Sequence, residues 1–245
     1  MPDQKCLNCN QSIDNKFCPN CGQKTSTHGF SWKYLLINDF INGALKFDKG
    51  FFYTIKELFL RPGHSIREYI AGKRVDHFNY FSLLLVILAV NHFIGSYSSV
   101  STQELYRDNN IKGYLKLARE YNAIVRMLNI PLWSLVTFLL FRKSEQNYIE
   151  NIVMNMYMMC GVLVVYPLVS LFAVFYNNVA ILKIINNGVS LYTIVYFFYF
   201  LYQYYSVYYS KRTFLFLRCF LAVLLLVFAQ SSIVRIINKV GELFF

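Results

Sequence analysis

From Tyr80 onward the chain is a succession of apolar runs, each close to twenty residues long, with short polar stretches between them. The hydrocarbon core of a bilayer takes ~20 helical residues, and every backbone N–H and C=O inside it must be bonded within the segment. That pattern points to an all-α integral membrane protein. Five runs qualify as spans: residues 80–97, 123–141, 148–175, 190–209 and 214–237. Pro131 predicts a kink in the second. Residues 177–188 read as a short loop, and Leu115 and Ala118 put some helix into the polar stretch before the second span. Only 15% of the chain is charged, against ~25% in ordinary globular domains. The polar N-terminus has no apolar signal region, so the first span is expected to serve as its own insertion signal.

The net charge is +11. Basic residues cluster between the apolar runs, which points to anionic head groups of membrane lipids and less to nucleic acid. With five spans, 15 of the 24 Lys and Arg residues lie on the side that carries residues 1–79, 142–147 and 210–213. The positive-inside bias then predicts a cytoplasmic N-terminus and a C-terminus on the far side.

Ahead of the spans stands "CLNCNQSIDNKFCPNCGQ", residues 6–23, with Cys6, Cys9, Cys18 and Cys21 in two C-x-x-C pairs. Such a pair lets both sulfurs of one turn face a single ion. Asn10 and Gly22 follow the pairs and suit the left-handed position these turns need. Eight residues between the pairs allow one small hairpin, with Ile13 and Phe17 as its only apolar filling. So small a core needs a metal to fold. Four thiolates favour tetrahedral Zn²⁺ in a closed, structural site. An iron–sulfur centre uses the same ligands and stays open.

Residues 30–79 mix aromatic with basic residues. A first helix is expected from Trp32 to about Gly43. A second carries an apolar stripe of Phe51, Phe52, Ile55, Leu58 and Phe59, with Lys56 and Glu57 on its back. Arg61-Pro62-Gly63 breaks it. A third starts near Ser65 and ends before Gly72. Helices of this kind lie flat in the head-group layer or pack on the ends of membrane helices. In the first case Arg67, Lys73, Arg74, Asp76 and His77 would contact lipid head groups or another partner at the interface.

The order of "FCPNCGQ", an aromatic amphipathic stretch, "RPGHSIREYIAGKRVDHFNYFSLLL" and several spans resembles an uncharacterised, Bacteroidetes-type bacterial family of multi-pass membrane proteins, known only as a domain of unknown function. The likeness is sharpest over residues 6–23 and 61–85. Asn79-Tyr80-Phe81 stands where that pattern usually has a proline. The resemblance implies an architecture of zinc ribbon (1–25), amphipathic helices (30–79) and helical bundle (80–245) in a bacterial inner membrane. It implies no activity.

Within the spans the polar candidates are Arg218, Glu150, Tyr196 and Tyr199. Arg218 is close enough to the cytoplasmic end to snorkel. Glu150 is a candidate partner for Arg218 or Arg142. The fourth run is rich in tyrosine, and Tyr196 and Tyr199 fall too deep for an interfacial belt. They either bond a neighbouring helix or line a path. The sequence holds no G-x-S-x-G, no H-E-x-x-H and no phosphate loop. The reading that needs least is a non-enzymatic membrane scaffold or sensor, or accessory effector, whose zinc ribbon docks a protein or nucleic-acid-bound partner. The alternatives are a transporter or channel with a tyrosine-rich path, and an enzyme acting on lipid head groups.

Overall fold

The computed structural model describes residues 4–27, 29–32, 50–97, 112–176 and 178–244. Past Trp32, the helix expected to end near Gly43 lies outside these residues. Among the described residues, a two-stranded antiparallel ribbon, β1 (Gln4–Lys5) and β2 (Ser12–Ile13), precedes ten α-helices. These are α1 (Gly50–Leu60), α2 (Pro62–Ile70), α3 (Tyr80–Ser96), α4 (Lys112–Glu120), α5 (Asn122–Met127), α6 (Asn129–Leu140), α7 (Tyr148–Leu163), α8 (Tyr166–Phe175), α9 (Val179–Tyr205) and α10 (Arg212–Phe244).

Four helical stretches among the described residues are long and apolar enough to cross a membrane: Ala123–Leu140, Tyr148–Phe175, Val179–Tyr205 and Arg212–Leu243. The first expected span, α3, is shorter at 17 residues. The break between α5 and α6 follows from Pro131, which has no N–H to give the Met127 carbonyl. The Asn129 amide turns back instead, toward the carbonyls of Val125 and Arg126.

The loop expected over 177–188 is mostly helix. Asn178 caps α9 from further upstream, its side chain accepting the N–H groups of Ala180 and Ile181, so Asn186, Asn187 and Gly188 lie within the helix. The C-terminal helix also outruns its apolar core. Past residue 237 it is covered by α4, where Gly113 and Gly241 let the two backbones touch and Asn238 accepts the N–H of Tyr114 at 3.0 Å.

Helix α7 is the axis of the fold. It packs on α1, α2, α3, α6 and α9, and from Val153 to Leu163 every residue is buried. An asparagine ladder runs up it. Asn147, Asn151 and Asn155 sit four apart, and the amides of Asn151 and Asn155 each donate one turn back. Asn155 also donates to Thr137 of α6, and Asn151 accepts from Tyr205 of α9. Such bonds hold membrane helices together where the hydrophobic effect cannot.

Helices α1 and α2 are packed into one end of this bundle. Gly63 lies directly against the backbone of Phe200 and Tyr204 on α9. Pro62 takes the first position of α2, so the break is confined to Arg61 and the helix starts earlier than expected. The expected stripe of α1 is rotated. Thr54, Glu57 and Leu58 are buried, whereas Phe52 and Phe59 face outward. The inward face is set by polar fixtures: Thr54 Oγ1 accepts the N–H of Phe78 at 2.8 Å, and Glu57 pairs with Arg61 at 2.6 Å.

Candidate metal centre and the segment it docks on

Each cysteine pair forms the same turn. The N–H of Cys6 donates to the Gln11 carbonyl and that of Asn10 to the Cys6 carbonyl. Cys18, Gln23 and Gly22 repeat the pattern. Asn10 has φ 60° and Gly22 φ 74°, the left-handed conformation that the sequence anticipates. The two turns set Cys6 and Cys21 Sγ 3.5 Å apart, and Cys9 and Cys18 Sγ likewise, with all four sulfurs within 4.8 Å of one another. A tetrahedron with metal–sulfur bonds of ~2.3 Å needs sulfurs ~3.8 Å apart, so the donor set fits such an ion.

The electrostatics agree. The Gln11 N–H lowers the Cys9 thiol to about 6, while burial raises Cys21 to about 12. Four thiolates this close repel one another unless a cation sits between them. Ile13 is buried beside the sulfurs, but Phe17 is 52% exposed, contrary to its expected place in the core. The sulfurs already fill the space between the turns.

The cysteine hairpin is seated on the turn after α2. Gln23, itself buried, accepts the N–H of Arg74 at 3.1 Å. Leu7 packs on Gly72, where a Cβ would meet the Leu7 side chain at 2.7 Å; its φ of 113° also favours glycine. Asn147 donates to the Phe30 carbonyl and ties the segment around Phe30 to the start of α7.

The residues expected at a lipid interface divide. Arg67 turns inward and donates to the carbonyls of Gln203 and Tyr204 at 2.9 and 3.0 Å, satisfying the open end of α9. Its other nitrogen donates to His64 Nδ1. The Arg74 guanidinium lies 3.9 Å from the centre of the Phe30 ring. His77 is buried and bonds Ser65 at 2.8 Å. Half-buried Arg67 and buried His77 thus both bond groups within the protein. Lys73 and Asp76 remain exposed, with Lys73 3.7 Å from Glu68.

Ser65 and His77 have the reach of a nucleophile and its base. Ser65 has no exposed surface, however, and burial pulls His77 down to about 4. The pair is a structural bond in the turn that leads into α3. The same turn is held by Tyr157, which donates to the Phe78 carbonyl at 2.6 Å, and by Asn79, which caps α3.

The intramembrane candidates also bond backbone. Arg218 donates to the Leu140 carbonyl at 2.7 Å and to the Tyr209 hydroxyl at 3.0 Å. Glu150 completes a capping box with Asn147 at the start of α7 instead of pairing with Arg218. Tyr196 donates to the Leu58 carbonyl and Tyr199 to the Leu60 carbonyl, both at 3.1 Å. They tie the C-terminal end of α1 to α9. Sequence reasoning missed Ser65 and Tyr157. A hydroxyl beside a basic segment carries no signal of its own, since its partner is set by packing.

Residues 48–91 match DUF3667, a family described as a protein of unknown function. No curated protein and no solved structure matches the chain. The DUF3667 segment runs from before α1 through most of α3. It contains both partners of the Ser65–His77 bond, Gly63, Arg67, and the turn at 71–74 on which the cysteine hairpin sits.

Proposed function

We propose that the protein is a non-enzymatic scaffold of a bacterial inner membrane. In this reading Cys6, Cys9, Cys18 and Cys21 hold one structural Zn²⁺, and the hairpin faces the cytoplasm as a docking head. The observation that carries it is the double attachment of the hairpin, by Gln23 to Arg74 and by Leu7 to Gly72. A head fixed at two points moves with the bundle and presents a rigid surface. All four metal ligands come from the protein, leaving no position for water or substrate, which argues against a catalytic metal.

The outward face of the hairpin has chemistry suited to a partner. Exposed Phe17 pairs with Lys24 across the hairpin, and Lys16 next to it in the chain is also exposed. An aromatic anchor with a basic rim fits an acidic protein surface. The path reading loses support because the deep tyrosine hydroxyls are committed to backbone carbonyls. The lipid-enzyme reading loses support because His77 is buried.

A photo-crosslinking residue at position 17, in cells, tests the scaffold reading. A discrete adduct that disappears with Cys18→Ser, while the protein stays in the membrane, supports it. An adduct indifferent to that change, or none at all, argues against a metal-built docking head.

A further inference from the structure

At the end of the bundle that carries the cysteine hairpin, the connection after α6 meets the start of α10. Arg142, Lys143, Lys211 and Arg212 are exposed there, and Arg218 follows one side of α10 about 9 Å past Arg212. Tyr209 joins the two stretches: its ring centre lies 5.8 Å from Lys143 Nζ and 5.2 Å from the Arg218 guanidinium. The connections 141–147 and 206–211 contain a single carboxylate, Glu145. None of these five cations is in an ion pair among the described residues, where the pairs are Glu57–Arg61 and Glu68–Lys73.

Arg218 has a structural task, closing the end of α6, but that task occupies one nitrogen. Nη1 makes both of its bonds, to the Leu140 carbonyl and to the Tyr209 hydroxyl. Nε and Nη2 have no partner among the described residues, and both keep open surface. These two N–H groups form the side of the guanidinium that takes two oxygens of one phosphate or carboxylate. With Nη1 tied back, the fork is held in place before any ligand arrives. The surface around it is apolar. Phe214 and Leu221, one turn before and one turn after Arg218, are exposed, as are Leu135 and Leu139 on α6. In spanning helices such surface meets acyl chains, where a bare guanidinium edge is costly. A free phosphate would satisfy the fork and leave the apolar surround unused, whereas a phospholipid uses both. An ammonium head group would be repelled by Lys143 and Arg142, so the excess of cations favours a lipid with net negative charge.

We propose that the seam between α6 and α10 is a binding site for one anionic phospholipid. Its phosphate oxygens accept from Arg218 Nε and Nη2, its head group lies toward Lys143 and Arg142, and its chains run along Phe214 and Leu221. The site rests on α6 and α10 belonging to membrane spans and is independent of the metal and of the docking head.

The full-length protein in neutral detergent is titrated with phosphatidylglycerol, with phosphatidylethanolamine of the same chains, and with glycerol 1-phosphate, and bound molecules are counted by native mass spectrometry. The expected result is saturable binding of one phosphatidylglycerol per chain, with phosphatidylethanolamine about tenfold weaker or more. Arg218→Lys keeps the charge and a donor for the Leu140 carbonyl but removes the fork, and should weaken phosphatidylglycerol by about tenfold or more. Arg142→Gln with Lys143→Gln, both at exposed positions, should weaken it by about tenfold. Equal binding of phosphatidylethanolamine, no saturation in the parent, or undiminished binding in either folded variant overturns the proposal. Glycerol 1-phosphate binding as tightly as the lipid also overturns it, because the apolar surround would then contribute nothing. If Arg218→Lys fails to fold, the exposed double variant and the lipid selectivity of the parent decide the matter.

Discussion

The side-chain oxygen of Gln23 accepts the backbone N–H of Arg74 at 3.1 Å. It joins the cysteine hairpin to the segment that leads into the membrane bundle. Gln23 is held one residue beyond Gly22, in a turn built around Cys18 and Cys21. Whatever orders the sulfurs therefore also orders this contact. A hairpin with so few apolar residues does not fold by burial alone.

Metal removal should undo both. Purified protein is expected to carry near one equivalent of zinc, lost in Cys18→Ser. Limited trypsin digestion should then cut at Lys16 or Lys24, which are exposed but sit in ordered turns. The helical bundle should stay in the membrane fraction. Iron with a visible absorption band, in place of zinc, would refute the assignment of the ion.

Protons compete for the same sulfurs. Cys21 is raised to about 12 by burial when no cation balances it, so loading must displace its proton and metal affinity should fall with pH. Zinc retained unchanged from pH 7.5 to pH 5 under a competing chelator would contradict a four-thiolate site.

His77 gives a second pH dependence, away from the cysteine cluster. Burial lowers it from 6.5 to about 4. Between those values the unfolded chain binds the proton and the folded chain does not. Stability is therefore complete above pH 6.5 and declines as pH falls toward 4, by about 3 kcal/mol at most. Thermal melting of the detergent-solubilised protein should show this decline between pH 7 and pH 5. His77→Gln should flatten it, and an equally steep profile in that variant would mean that other groups cause it.

What the sequence made legible was local. The left-handed positions of Asn10 and Gly22 and the kink before Pro131 each depend on a few neighbouring residues. The four-cysteine cluster was legible for the same reason, since both C-x-x-C turns are self-contained. The inward turn of Arg67 was not legible, because its partners, the carbonyls of Gln203 and Tyr204, lie about 140 residues away. A basic amphipathic helix reads the same whether its cations face lipid or the end of another helix.

The contact between Gly63 and α9 decides whether α1 and α2 belong to the bundle or lie on the membrane surface. Any Cβ at position 63 meets the backbone at Phe200 and Tyr204, and backbone cannot swing aside as a side chain can. Gly63 also donates its N–H to the Gln203 side chain at 3.2 Å, and Arg67 one turn later bonds the same end of α9. Gly63→Leu should push α2 away, break these bonds together, and cost roughly 1–3 kcal/mol by overpacking. Arg67→Ala should also destabilise, through carbonyls left open at the end of α9, whereas Lys73→Ala should be near neutral. If α2 merely rested in the head-group layer, the order would reverse: Lys73→Ala would weaken attachment to anionic liposomes, and Gly63→Leu, adding apolar surface, would strengthen it. Melting temperatures of the three variants, compared with protease protection of the α1–α2 segment in anionic and neutral liposomes, separate the two arrangements. Gly63→Leu melting as high as the parent would exclude the packed one.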